Sequence, residues 1–190
     1  MAFPKKYAEF AARTRIATGF LIGAAFLWFA QPTVNSLLLG GAVALAGLGI
    51  RAWAAGHLRK NQELAISGPY AHVRNPLYVG TLTAGIGFGV AGAHLGIAIA
   101  MVAFFLLYYL PVVEEEESHL RKILPGYEEY VQLVPRLLPA LIPRGSSGAA
   151  FSFKQYVKNR EYQAFLGFLV VMALLAGKAL WVVYPSAAGS

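Results

Sequence analysis

The chain of 190 residues contains no cysteine and no aspartate; its nine acidic residues are all glutamate. The missing thiols exclude disulfides, thiolate metal sites and a cysteine nucleophile. The missing aspartates exclude Asp-rich magnesium sites and a Ser-His-Asp triad. Charge is scarce too. Only 13% of residues are charged, against about a quarter in ordinary soluble domains.

What the chain holds instead is apolar side chains, 57% of the total. They gather in five runs, approximately Ile16–Ala30, Val34–Ala55, Leu77–Ala93, Leu95–Val113 and Ala164–Tyr184. A membrane-spanning helix takes about 20 apolar residues, so the last four qualify. The first must recruit residues from before Ile16 or sit shallowly. Lys5 and Lys6 precede it as they would a signal peptide, but no small-residue cleavage pattern follows at Phe29-Ala30-Gln31-Pro32, so it reads as a helix. The expected fold is all-α: a polytopic membrane bundle of about five transmembrane helices.

The connections orient the bundle. Fourteen of the sixteen basic residues fall before Ile16, between Gly56 and Pro76, or between Glu114 and Gln163. The turns at Gln31-Pro32-Thr33 and Ala93-His94, and the tail after Tyr184, hold none. Five crossings put all three basic connections on one side, and the positive-inside rule makes that side, with the N-terminus, cytoplasmic. The net charge of +7 is then a topological signature, and no nucleic-acid partner is needed. Short outer turns predict tight hairpins of the first span with the second and the third with the fourth. Two basic residues lie inside spans. Lys178 is placed to snorkel outward; Arg51 is either a snorkelling residue or part of a site.

The first inner segment, His57 to Gly80, contains Ser67-Gly68-Pro69, which is turn chemistry, and Asn75-Pro76, which predicts a helix start with Asn75 as cap and Pro76 in the first position. Tyr70, His72, Arg74 and Tyr78 cluster around that start, where free N–H groups favour an anion. The second inner segment opens with Glu114-Glu115-Glu116-Glu117. Four carboxylates at the expected C-terminal side of a span repel one another and oppose the helix dipole, so a cation would relieve them. Glu116 and His119 match an E-x-x-H pattern, but the further carboxylate pairs of a di-iron bundle are not spaced for it, and no metal is expected. Tyr127 and Tyr130 share a helical face and suit an interfacial aromatic belt. Arg136 stands in an extended Pro-Arg-x-x-Pro stretch.

Taken in order, Gly68-Pro69-Tyr70-x-x-x-Arg74-Asn75-Pro76-x-Tyr78-x-Gly80, Glu116-Glu117-x-x-Leu120 and Tyr127-x-x-Tyr130-x-x-x-Val134-Pro135-Arg136-x-x-Pro139 resemble the isoprenylcysteine carboxyl methyltransferase and phospholipid methyltransferase superfamily. The resemblance spans residues 57–139, which would form the cofactor-binding core of a single membrane domain of 190 residues. Residues 144–190 would be a linker, an amphipathic segment and an extra C-terminal transmembrane helix. Asn75 stands where the group often has His, and the Phe-Gly pair expected at Leu124-Pro125 is missing.

The resemblance implies helices enclosing S-adenosylmethionine, with S-adenosylhomocysteine as product, at the cytoplasmic face of a prokaryotic inner membrane. Gly68, Pro69, Tyr70, Arg74, Asn75, Pro76, Tyr78, Glu116 and Glu117 would then line the cofactor site, and Arg136 would close it or touch the acceptor. A lipophilic acceptor would enter from the membrane lipids. If it carries a carboxylate, as a prenylcysteine-like or other apolar acid does, Arg51 or Arg136 could orient it. If it carries an amine, as some phospholipids do, His57, His72 or a glutamate could take the proton. Two other classes fit part of the pattern: an NADPH-dependent sterol-reductase-like enzyme and a non-catalytic membrane scaffold. The acceptor and the oligomeric state are not readable from the sequence.

Overall fold

The structure, a computed structural model, describes residues 3–145 and 149–183, and all regular structure in them is helical. Ser146–Gly148 of the expected linker, the tail from Tyr184 and the outer end of the last apolar run lie outside the described residues. Helix α1 runs Lys5–Phe29, so the short first apolar run does recruit the basic residues before it. Pro32 ends it, because the residue before a proline is driven out of the helical region. Helix α2, Val34–His57, starts on a reciprocal cap: Ser36 N donates to Thr33 Oγ1 at 3.1 Å and Thr33 N donates to Ser36 Oγ at 2.9 Å.

Helix α3, Pro76–Ala91, is only 16 residues long. It lies antiparallel to α2 in the most extensive helix contact among the described residues. Gly40 faces Gly87 and Ala91, and Gly47 faces Gly80 and Ala84, so a Cβ at either glycine would overlap the opposite backbone. Without a hydrophobic drive inside lipid, such backbone approach is what associates helices. The predicted pairing of α1 with α2 is therefore corrected. Glycine faces tie α2 to α3, while α1 packs mainly on the helices that follow α3.

Those helices form one continuous run, Leu95–Ile123, of 29 residues. It comprises α4 (Leu95–Phe104), a wide π turn (Phe105–Tyr109) and α5 (Leu110–Ile123). Pro111 explains the π turn: with no N–H it cannot donate to the Leu107 carbonyl, and the helix widens there. The released Leu107 oxygen accepts instead from Tyr7 Oη at 2.9 Å, which ties α1 to this helix. The glutamate run is thus not at a helix terminus, as the sequence suggested. It lies inside α5, with Arg121 and Lys122 at the true C-terminal turn, where the dipole favours them.

Helix α6 (Tyr127–Leu133) follows Gly126, whose φ of +78° is open to glycine at no cost. Tyr127, Tyr130 and Val134 are buried against Leu64, Ile66, Leu120 and Leu124. The two tyrosines are therefore a loop core and no aromatic belt; the Tyr130 hydroxyl donates to Tyr70 O at 2.7 Å. After the short α7 (Phe153–Lys158) comes α8, Tyr162–Val183. Lys178 does not snorkel to solvent. Its Nζ donates to Leu27 O and Trp28 O at 2.9 and 2.6 Å, capping the end of α1 with a positive charge.

Helices α1, α2, the α4–α5 run and α8 are each long and apolar enough to cross a membrane, and α3 is a fifth, shorter apolar helix. The protein is a polytopic helical membrane protein. Its two inner segments, far apart in sequence, meet at one end: Arg74 N donates to Pro135 O at 2.9 Å, Ala140 N to His72 O at 2.9 Å, and Arg144 N to Ala71 O at 2.7 Å.

Candidate functional site

The helix ends and loops at that end enclose a cavity of about 450 Å³. Arg15 reaches it from α1, Arg51 from α2, Leu58 and Lys60 from the following loop, and Tyr70 from a 3-10 turn at Gly68–Ala71. Arg74, Asn75, Pro76, Leu77, Tyr78 and Thr81 come from the start of α3, Tyr109 from the π turn, and Glu116 and Leu120 from α5. A recess of about 70 Å³ shares Tyr70, Arg74 and Glu116 with it and extends toward Tyr127 and Tyr130.

Tyr78 and Glu116, both lining the cavity, are bonded to each other. The Tyr78 hydroxyl donates to Glu116 Oε2 at 2.8 Å, and its ring meets Tyr109 edge-on at 5.9 Å between centroids. Tyr70 is 6% exposed. Burial, with smaller contributions from Tyr130 and Glu116, holds its phenol well above the usual range, so it stays neutral. The site thus offers three aromatic rings, a carboxylate and several cationic side chains in one space.

Behind the cavity lies a second charged group. Glu117, 2% exposed, accepts from Arg74 Nε and Nη2 at 3.0 and 3.2 Å and from Arg136 Nε at 3.0 Å. Asn75 Nδ2 donates to Glu117 Oε1 at 2.8 Å and to Arg136 O at 3.3 Å. Asn75 occupies the cap position of α3 but makes no side-chain cap bond, contrary to the expected role. Its amide is drawn to the buried carboxylate, a stronger, charge-assisted partner. Arg74 Nη1 also donates to Val131 O and Val134 O at 2.8 and 3.0 Å. One carboxylate therefore staples the first inner segment to the second.

Of the residues singled out in the sequence, Arg51, Tyr70, Arg74, Asn75, Pro76, Tyr78 and Glu116 come together around the cavity. Glu117 and Arg136 stand behind it, in the staple. Gly68 and Pro69 form the turn that carries Tyr70. His57 is turned away: its Nδ1 lies 2.9 Å from Trp53 O, and its ring packs on Gly68 so closely that a Cβ there would come within 2.7 Å. His72 does not line the cavity either; its Nδ1 lies 2.8 Å from Ala140 O. Glu116 and His119 do not converge on a further ligand; no metal-binding cluster occurs among the described residues.

Arg15, Lys60, Thr81 and Tyr109 escaped the sequence reading, although all line the cavity. Arg15 counted only as a topological charge. Tyr109 had a signal: Pro111, two residues on, announces a disturbed helix. Glu161, 110 residues from its partner Arg51, gave none.

A second, apolar pocket of about 240 Å³ adjoins the first, with Thr81 and Tyr109 lining both. Gly19, Gly23 and Phe26 of α1, Leu82, Gly85 and Phe88 of α3, and Met101 and Phe104 of α4 form much of its wall.

The sequence model of a family described as phospholipid methyltransferase matches residues 18–126. The chain belongs to the phospholipid methyltransferase family. That match takes in the second half of α1, which the motif resemblance left out, and stops before Arg136. Among curated proteins the chain is 32% identical over 149 residues to the cobalt-zinc-cadmium resistance protein CzcN of Cupriavidus metallidurans, covering 76% of this chain and 68% of that protein. It is 28% identical over 161 residues to the nickel-cobalt-cadmium resistance protein NccN of Alcaligenes xylosoxydans xylosoxydans, covering 82% and 74%. No solved structure matches. The family's matched segment contributes most of the cavity wall, from Arg51 to Leu120.

Proposed function

We propose that this membrane methyltransferase-family protein transfers a methyl group from S-adenosylmethionine to a lipophilic acceptor that reaches the site from the bilayer. The observation that carries the reading is the pairing of two pockets. A polar, aromatic cavity of about 450 Å³, within the roughly 300–1,000 Å³ of ordinary ligand sites, lies against an apolar one, and Thr81 and Tyr109 line both.

The residues of the polar cavity fit the donor. Its sulfonium and ammonium suit the Glu116 carboxylate and the faces of Tyr70, Tyr78 and Tyr109. Its carboxylate suits Arg15 and Lys60, and its adenine suits the tyrosine rings. When bound, the donor supplies a methyl already activated by the positive sulfur. The chain's own work is therefore positional. Tyr78 holds Glu116 in place through its hydroxyl. The Glu117 staple fixes the loops that bear Tyr70 and Arg74. The apolar pocket aligns the acceptor and keeps water out, and positioning of this kind contributes on the order of 7–11 kcal/mol.

The excess of basic residues in the connections at this end supports a cytoplasmic site in a prokaryotic inner membrane. Membrane lipids would supply or carry the acceptor, either an apolar acid of the prenylcysteine kind or a phospholipid amine.

The deciding experiment measures thermal stabilisation of the detergent-extracted protein by S-adenosylhomocysteine and by NADPH, followed by incubation of membranes with methyl-labelled S-adenosylmethionine. The expected result is a shift with S-adenosylhomocysteine alone and label in the organic-soluble fraction. A shift with NADPH alone would assign a reductase, and no shift with either a scaffold.

A further inference from the structure

Arg51 projects from α2 into the polar cavity, yet its charge is already matched. Its Nε and Nη2 donate to the two oxygens of Glu161 at 3.0 and 2.8 Å, and its Nη1 donates to Leu77 O at 3.4 Å and to the hydroxyl of Thr81. The Glu161 side chain is 12% exposed. It comes from the segment between α7 and α8, beyond the part of the chain that the family match covers.

That segment is held on the end of α2 by contacts of its own. Asn159 Nδ2 donates to Ala55 O and Leu58 O at 2.8 and 3.0 Å, and Ser152 N donates to Gly56 O at 3.0 Å. The ring of Phe151 fills the space that a Cβ at Gly56 would need. A clasp is thus already present, and it is uncharged. The ion pair adds something a clasp does not require, a carboxylate beside the cavity.

The charges facing the cavity show what it adds. Arg74 is balanced by Glu117 and Arg51 by Glu161. Arg15, Lys60 and Glu116 also face the space. Removing Glu161 leaves an unmatched guanidinium beside Thr81, at the junction with the apolar pocket. A methyl donor with a sulfonium carries one positive charge more than its thioether product, so an unmatched guanidinium opposes the donor and spares the product.

We propose that Glu161 is a positioning residue: by neutralising Arg51 it sets the preference of the cavity for the cationic donor over the neutral product. This deepens the methyltransferase reading and rests on it. The C-terminal segment then completes the site, and the charge it delivers acts only through Arg51.

The test measures equilibrium affinities of S-adenosylmethionine and S-adenosylhomocysteine for the full chain in detergent, in the wild type, E161Q, R51Q and the double variant. In E161Q the ratio of the two affinities moves against S-adenosylmethionine by about tenfold, the size expected for one unmatched charge several ångströms from a cation in a partly screened site. In R51Q it moves the other way, because a carboxylate is left, and in the double variant it returns to within about twofold of the wild type. A merely structural role would weaken both ligands in parallel; parallel weakening, an unmoved ratio or shifts of the same sign in both single variants would overturn the proposal. If E161Q does not fold, R51Q and the double variant decide it. Wild-type protein that binds neither ligand would sink the methyltransferase reading itself, whereas wild-type binding with an unmoved ratio removes only the role of Glu161.

Discussion

Glu117 and Arg74, 43 residues apart, form a two-pronged ion pair with side chains 2% and 8% exposed, and Arg136 joins them from a more open position at 43%. A buried carboxylate with this many donors is a structural commitment. Removing one partner of a buried pair typically costs about 3–5 kcal/mol, because the other charge is left unmatched. Glu117→Gln is therefore expected to lower the unfolding midpoint in detergent substantially. Arg136→Gln, at the exposed edge, is expected to cost less than about 1 kcal/mol. Equal Tm values for Glu117→Gln and wild type would show that the Glu117 ion pairs do not hold the two segments together.

Glu116 differs from its neighbour, because its hydrogen-bonded partner is the neutral Tyr78 and it faces the cavity. Glu116→Gln is expected to weaken S-adenosylmethionine about tenfold while changing the Tm little. Tyr78→Phe removes one hydrogen bond, worth about 1 kcal/mol, and should give a smaller loss in the same direction. Isothermal titration of the purified variants checks both. Unchanged affinity in Glu116→Gln would exclude its carboxylate from the donor site.

The contrast between Glu116 and Glu117 marks how far the sequence could be read. Apolar runs and basic connections disclosed the helices and the common end at which the two polar segments meet, since bilayer thickness and charge bias act on composition alone. The motif residues Tyr70, Arg74, Tyr78 and Glu116 also proved to share one cavity. Adjacent glutamates on a helix point about 100° apart, however, and only packing decides which one meets arginines and which meets a tyrosine. The Arg51–Glu161 pair bridges 110 residues with no periodic signal. His57 and His72 looked like bases by type; the Nδ1 of each faces a backbone carbonyl, of Trp53 and Ala140, and neither ring lines the cavity.

Tyr127 provides a pH signature for the loop core. Burial, aided by the nearby Glu117 charge, pushes its phenol up to about 12 from an ordinary value of 10. The folded state therefore favours the neutral phenol. Its contribution to stability is fully present below pH 10 and is lost as the pH climbs from 10 toward 12. Tyr130, raised by burial as well, adds to the same loss. Thermal melts across this range should show a falling midpoint, with a shallower fall in Tyr127→Phe. An identical slope in that variant would show that other groups control alkaline unfolding.

Gly85 and Gly87 lie two residues apart on α3 and should respond oppositely to the same change. A Cβ at Gly87 would overlap the backbone of Ala44 on α2, whereas one at Gly85 meets nothing within 4 Å, because that glycine lines the apolar pocket. Gly87→Leu is expected to force α2 and α3 apart and to abolish stable protein. Gly85→Leu should fold at least as well as wild type, since leucine favours the helix over glycine by nearly 1 kcal/mol. Its side chain fills the pocket, so S-adenosylhomocysteine affinity should remain while label transfer to the organic-soluble fraction falls at least tenfold. Full transfer by Gly85→Leu would mean that the acceptor reaches the donor by another path, and a Gly87→Leu protein as stable as wild type would refute the glycine packing of α2 on α3.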